Sequence, residues 1–237
     1  MAKGFTFGDY GKDGTFDRHI EDSIRGYGNL RSDCVSFSQY FLQKKSVVLD
    51  IGCSSGAMLR RIRDYNHEHE SNSGVKYIGL DVVPEFKKDW EQNRERNITF
   101  KKADARTYTG YGNLSLVYSI FTMQFMPEAD RLTLAKKIYD GLNDGGAFVL
   151  SEKVLAKNAK FQDMLAFTYY DYKKTMFSEK EILDKEASIR DQMRLWSEFK
   201  IFEMLRSVGF KPNNMQLFWR NHLFIGIIAM KQAAFRG

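Results

Sequence analysis

Short apolar runs alternate with amphipathic segments through the middle of the chain. The apolar runs lie at 46–50, 77–81, 98–100, 114–121 and 147–150. Most of the segments between them repeat their apolar residues at helical spacing, as at 57–65 and 130–142. Strands that alternate with helices in this way favour right-handed βαβ crossovers and a parallel sheet with helices on both faces.

The C-terminal part of the chain departs from this alternation. From 161 to 207 the pattern predicts helices rich in Tyr, Phe, Met and Lys, and two strands follow at 215–219 and 224–230. The short segment between these strands predicts an antiparallel pair that closes the sheet. We therefore expect one α/β domain over 1–237 with a mostly parallel seven-stranded sheet, an irregular arm at 1–15, and a helical lid or dimer region at 160–208.

Composition adds little to this picture but excludes some classes of protein. With 237 residues, 43% of them hydrophobic and 28% charged, the chain can bury a full core and is not expected to be disordered. The net charge of +6 would suit an anionic partner, yet basic and acidic residues are interspersed, as on an ordinary solvated surface. Two cysteines in different contexts and no long apolar stretch predict a cytoplasmic protein without a membrane anchor.

A glycine-containing loop, Gly52-Cys53-Ser54-Ser55-Gly56, follows the first apolar run, which ends at Asp50. Such a loop lets the backbone approach a ligand at the N-terminus of the next helix. Ser54 occupies the central glycine position of the dinucleotide fingerprint, which argues against a nicotinamide-dependent dehydrogenase. We expect Asp50, Gly52, Cys53, Ser54 and Gly56 to contact a nucleoside cofactor.

Two further acids follow the next predicted strands. Asp81 ends the second apolar run, where a carboxylate can accept hydrogen bonds from both ribose hydroxyls. Asp104, next to Ala105, follows the third apolar run and could accept a hydrogen bond from an adenine amino group. The order of loop, Asp81 and Asp104 predicts a class I methyltransferase fold, which is Rossmann-like, with S-adenosyl-L-methionine as its cofactor.

Longer segments of the chain carry a more specific resemblance. They are 16–17, 23–27, 49–57, Phe121-Thr122-Met123-Gln124-Phe125, 137–143, 145–147 and Leu150-Ser151-Glu152-Lys153. In these segments the chain resembles the carboxy-S-adenosylmethionine synthase family, with few gaps from about Phe16 to Lys231.

The resemblance implies a homodimer that uses prephenate as a small-molecule substrate to convert S-adenosyl-L-methionine into its carboxylated derivative. A partner enzyme of that family's members uses this product to modify wobble uridine in tRNA, so the link to tRNA is indirect. Carried over by position, the family's cofactor site implicates Tyr27, Gly52, Asp81, Val82, Asp104 and Ala105.

Two positions depart from the family. Glu186 follows Lys185 at the position where the family has the arginine that binds the carboxylate of the carboxylated cofactor. Ile120 occupies the position of a family asparagine. Two unit charges about 4 Å apart interact by roughly 4 kcal/mol at an effective dielectric near 20, so Glu186 would penalise a carboxylated cofactor unless it faces solvent. Arg190 or Arg220 could compensate.

The leading hypothesis is therefore an S-adenosyl-L-methionine-dependent methyltransferase that acts on a small molecule or an RNA. A carboxy-S-adenosylmethionine synthase and a non-catalytic cofactor-binding subunit are the alternatives. Among the tyrosines of the predicted lid helix, Tyr170 is the candidate for orienting an acceptor, with Glu186 as the second candidate catalytic residue. The histidines lack the spacing of metal ligands, so no metal is expected.

Overall fold

The computed structural model describes residues 15–92 and 95–233. The irregular arm predicted for 1–15 lies outside these residues except for Thr15, which begins the first helix. Within the described residues no helix is both long and apolar enough to span a membrane.

In the part of the chain that the structure describes, eight strands and eight helices follow one another, mostly in alternation. The strands are β1 (Val47–Ile51), β2 (Lys76–Asp81), β3 (Ile98–Lys102), β4 (Leu114–Ile120), β5 (Leu142–Leu155), β6 (Trp196–Ser197), β7 (Met215–Asn221) and β8 (Phe224–Met230). The helices are α1 (Thr15–Ser23), α2 (Tyr27–Ser38), α3 (Ala57–Tyr65), α4 (Lys87–Gln92), α5 (Glu128–Gly141), α6 (Ala159–Lys173), α7 (Glu179–Ile189) and α8 (Glu198–Val208).

The sheet has the order β3-β2-β1-β4-β5-β8-β7, and its first five strands pair in parallel. β8 runs antiparallel to both β5 and β7, which confirms the predicted closing pair. The strand order reverses between β1 and β4. In open α/β sheets this reversal opens a crevice at the carboxyl ends of the strands, where ligands bind.

The sheet has one strand more than the seven predicted. Trp196 and Ser197 form β6, which pairs with the end of β5 and interrupts the helical stretch expected from 161 to 207. Two residues are too few to show the alternation that identifies a strand in a sequence.

Each face of the sheet carries its own hydrophobic core. Leu134 and Ile138 of α5 pack on one face together with Leu205 of α8, and Leu30 of α2 and Leu59 of α3 are buried on the other. α8 is thus a core helix, whereas α6 and α7 reach the crevice. The region 160–208, predicted to be one lid or dimer region, is divided between these two places.

Candidate cofactor and substrate site

A cavity of about 370 Å³ opens at the carboxyl ends of β1, β2 and β4. This volume lies in the range of small-molecule and cofactor sites. Most of the residues predicted to bind the cofactor line it: Tyr27, Asp50, Gly52, Cys53, Ser54, Asp81, Val82, Asp104, Ala105 and Ile120. Glu186 of α7 lines the same cavity.

The glycine-containing loop is held to β2 by hydrogen bonds. The Ser54 amide donates to Asp81 Oδ2 at 2.9 Å, and the Val83 amide donates to Asp81 Oδ1 at 2.9 Å. Trp90 Nε1 donates to the Ser54 carbonyl at 2.8 Å. Gly52 has φ +76°, and a Cβ there would lie 2.1 Å from Thr122 Oγ1. The protein's own contacts therefore hold the shape of the loop.

Gly56 has a structural role and does not line the cavity, unlike the other loop residues predicted to bind the cofactor. It caps the N-terminus of α3 with φ +83°, and a Cβ there would lie 2.3 Å from the Phe100 ring. The positive φ and the ring together require glycine. The sequence pattern does not distinguish this requirement from close approach to a ligand.

Asp50 and Asp81 are two buried acids on the cavity wall, 4% and 8% exposed. Burial and the neighbouring Asp81 raise the pKa of Asp50 to about 7, and burial also raises that of Asp81. No described Lys, Arg or His lies within ion-pair distance of Asp50. A ligand that carries positive charge, as the sulfonium and ammonium of S-adenosyl-L-methionine do, fits this part of the cavity.

Asp104 is bound by an arginine that no sequence pattern singles out. Arg106 donates through Nε to both carboxylate oxygens at 3.0 Å and through Nη2 at 2.6 Å, and its Nη1 reaches Asp130 at 2.9 Å. These hydrogen bonds hold the pKa of Asp104 below its usual value. The Asp104 carboxylate is thus fixed and ionised at the cavity wall, which Arg106 also lines.

Glu186 faces the cavity and not the solvent, with a side chain 18% exposed. Its Oε2 lies 3.6 Å from Nζ of Lys153, which is itself buried on β5. Lys173 of α6 is also buried on the cavity wall, close enough for Glu186 to act on its pKa. The charge reversal expected at this position is therefore offset by neighbouring lysines that the sequence did not place there.

Tyr170, the tyrosine expected to orient an acceptor, is placed beside the cavity and not in its wall. Tyr169, which is buried against Phe224, lines the cavity, and Tyr170 does not. Successive helical residues point about 100° apart, so a shift of one position changes which side chain faces the site. Neither proposed substitute for the family arginine lines the cavity: Arg190 caps α7 and Arg220 pairs with Glu198.

Two segments that carry the family resemblance, 121–125 and 150–153, are joined by hydrogen bonds at the cavity wall. The side-chain Oε1 of Gln124 accepts a hydrogen bond from the Lys153 backbone amide at 2.7 Å. The backbone amide of Gln124 donates to Glu152 Oε1 at 3.0 Å. Glu152 is fully buried and lies 3.8 Å from Arg131, which is 1% exposed. Burial raises the pKa of Glu152 to about 8, and Arg131 opposes that rise.

We expect Glu152→Ala to destabilise the fold by about 1–3 kcal/mol, because it leaves the buried Gln124 backbone amide without its acceptor and removes the acid beside Arg131. Urea unfolding at pH 7 measures this loss. Glu128→Ala, which removes an exposed partner of Lys200, is the control and should cost less than about 1 kcal/mol. Equal effects of the two substitutions would show that Glu152 does not stabilise the fold more than an exposed acid does.

Among the described residues no group of three or more His, Cys, Asp or Glu side chains is arranged to hold a metal ion. The expectation that the protein uses no metal stays a prediction.

Comparison with known proteins decides the family. A family model described as a methyltransferase domain matches residues 48–146. Carboxy-S-adenosyl-L-methionine synthase of Histophilus somni (strain 2336) is 32% identical over 222 residues, covering 91% of this chain and 89% of that protein. The enzyme of the same name from Salmonella paratyphi C (strain RKS4594) is 33% identical over 227 residues, covering 91% and 87%. The chain belongs to the carboxy-S-adenosyl-L-methionine synthase family.

A solved structure supports the fold independently. N-methyltransferase NodS from Bradyrhizobium japonicum, in complex with S-adenosyl-L-homocysteine, matches with a TM-score of 0.62 at 10% identity over 94% of this chain and 95% of that one. At this identity the likeness shows the fold alone. Together with family membership, it confirms the class I methyltransferase fold and makes the chain an S-adenosyl-L-methionine-dependent transferase.

Proposed function

We propose that this family member is an S-adenosyl-L-methionine-dependent methyltransferase that acts on a small molecule. The observation that carries the proposal is the place of Glu186 inside the cavity, at the position where relatives are expected to bind a cofactor carboxylate. Ile120 on the same wall supplies no polar group in place of the family's asparagine. Glu186 forms an ion pair with Lys153, so this position offers no arginine fork to a cofactor carboxylate, which favours the unmodified cofactor.

The residues of the chain would bind and orient the reactants. Asp81 would accept hydrogen bonds from the ribose, Asp104 would lie near the adenine, and Asp50 would stabilise positive charge. When bound, S-adenosyl-L-methionine supplies an electrophilic methyl group on its sulfonium. Tyr169 and Phe121 would exclude water from the acceptor and hold it in line with that methyl group.

A specific observation favours the carboxy-S-adenosyl-L-methionine synthase reaction as a second candidate. Lys153 and Lys173 are both buried at this cavity, so Glu186 does not make its surroundings negative. The curated relatives that match most of the chain also carry that name. A lysine gives a point charge without the planar fork of an arginine, so binding of a cofactor carboxylate would be weaker and less oriented. An indirect role in tRNA modification belongs to this candidate alone.

The ligand that the purified protein retains from cells distinguishes the two candidates. After denaturation, mass spectrometry should detect S-adenosyl-L-methionine or its demethylated product and no carboxylated derivative. Glu186→Arg restores the family's charge, so this variant should gain the carboxylated ligand.

Asp184→Arg is the matched control, since it reverses an exposed charge on the same helix, where Asp184 pairs with Lys180. Its ligand should be that of the wild-type protein. The carboxylated derivative as the main ligand of the wild-type protein would reject methyl transfer in favour of the second candidate. Absence of any nucleoside ligand, with no binding of added cofactor, would reject both.

We further propose that the protein forms a homodimer in the cytoplasm. Phe161, Met164 and Phe167 are exposed at intervals of three residues along α6, and a second copy would cover this apolar stripe. Two free buried cysteines, Cys34 and Cys53, suit a reducing compartment. Light scattering should give twice the chain mass, and Phe167→Glu should lower it to that of one chain; a wild-type monomer would contradict the proposal.

A further inference from the structure

Helix α1 lies between the cavity and the solvent. Four of its residues, spread over almost its whole length, line the cavity: Phe16, His19, Ile20 and Ser23. On its outer face the side chain of Arg18 is 88% exposed. No residue from 16 to 23 is fully buried, so α1 shares little of the hydrophobic core. A segment with so few buried contacts can open without unfolding the rest of the domain.

One end of α1 is held to the part of the cavity where the cofactor loop lies. Ser55 Oγ, in the glycine-containing loop, donates a hydrogen bond to Asp17 Oδ2 at 2.7 Å. Next to it, the rings of Phe16 and Phe86 pack edge to face with their centroids 5.3 Å apart. Asp17 and Ser55 themselves are not in the cavity wall. Their hydrogen bond therefore joins α1 to the loop from outside the cavity.

The rest of α1 reaches the opposite side of the cavity and ends at a glycine. The His19 ring lies 5.6 Å from that of Phe177, in the segment between α6 and α7. Glu21 forms an ion pair with Arg31 of α2. Gly26, which caps the N-terminus of α2, has φ +76°, a conformation that glycine adopts without strain. Thus α1 crosses the cavity from the cofactor loop to α6 and α7, and a glycine turn joins it to α2.

We propose that α1 is a lid over the bound cofactor, hinged at Gly26 and latched by the hydrogen bond between Asp17 and Ser55. The latch must open before S-adenosyl-L-methionine enters or leaves, and the closed helix shields the cofactor from water. The lid depends on cofactor binding alone, so it applies equally to methyl transfer and to the synthase reaction.

The rates of cofactor exchange test the lid. Release is measured by diluting protein loaded with labelled S-adenosyl-L-methionine into excess unlabelled cofactor. Binding is followed by stopped-flow tryptophan fluorescence, since Trp90 donates to the Ser54 carbonyl of the loop. Asp17→Ala should speed both release and binding about tenfold, because a hydrogen bond to a charged group is lost. The Kd should change by less than about threefold, because Asp17 is outside the cavity wall.

Three further variants separate a latch from a local structural role. Ser55→Ala should speed exchange as Asp17→Ala does, and the double variant should be no faster than either, because the two residues form one hydrogen bond. Arg18→Ala, on the outer face of α1, should exchange its cofactor as wild type does.

Two results would overturn the lid. If Asp17→Ala speeds release and raises the Kd in proportion while binding keeps its wild-type rate, the hydrogen bond stabilises the occupied loop and does not gate it. If both single variants exchange at the wild-type rate, or if their effects add in the double variant, Asp17 and Ser55 do not form a latch.

Discussion

Asp81→Ala should lower the affinity for S-adenosyl-L-methionine by at least about 100-fold, because each hydrogen bond to a charged group contributes roughly 1.5–3 kcal/mol. The carboxylate has two tasks in the structure. It already accepts hydrogen bonds from the Ser54 and Val83 amides, which fix the loop, and its remaining lone pairs are proposed to meet the ribose hydroxyls. Alanine removes both sets of hydrogen bonds, and calorimetric titration of the cofactor measures the loss of affinity.

Two further variants separate ligand binding from loop support. Asp81→Asn keeps one carbonyl oxygen for the backbone amides, so its affinity should fall by about tenfold, between wild type and alanine. Glu85→Ala removes an exposed acid a few residues away and should bind the cofactor as wild type does. If Asp81→Ala lowers thermal stability but leaves cofactor affinity unchanged, Asp81 supports the loop without contacting the ribose.

The parts of the site that could be predicted from the sequence lie at strand ends. The carboxyl ends of parallel strands meet at one edge of a sheet, so the places of Asp50, Asp81 and Asp104 follow once the strands are recognised. The sequence predicts the loop in the same way, because glycines between a strand and a helix have few structural roles other than a tight turn. The structural role of Gly56 does not follow from this pattern, because its contact with the Phe100 ring depends on how β3 packs in the fold.

The parts that the sequence could not supply depend on contacts between distant segments. Lys153 on β5 meets Glu186 on α7 only because both elements face one cavity, and no local pattern joins positions 33 residues apart. Which of Tyr169 and Tyr170 lines the cavity depends on the rotation of α6, which is set by packing of Tyr169 against Phe224. The sequence shows the negative charge at position 186, but its ion pair with Lys153 depends on the fold.

Buried charge also predicts how cofactor binding depends on pH. In the absence of ligand, burial and Asp81 raise the pKa of Asp50 from 3.8 to about 7. Since this value lies above that of the unfolded chain, ionisation of Asp50 opposes folding progressively as the pH rises from about 4 to 7. A cation bound beside Asp50 removes this penalty, because it stabilises the ionised carboxylate.

The affinity for S-adenosyl-L-methionine should therefore rise with pH up to about 7 and then level off. Below that pH, binding must displace the proton of Asp50, so affinity should fall by up to about tenfold per pH unit. Calorimetry in buffers of different ionisation enthalpy should detect one proton released per cofactor bound at pH 6 and almost none at pH 8.5. Asp50→Asn has no proton to lose, so its affinity should be lower than that of wild type at pH 8 and nearly independent of pH between 6 and 8. A pH profile of wild type that stays flat from 6 to 8 would show that Asp50 does not face the positive charge of the cofactor.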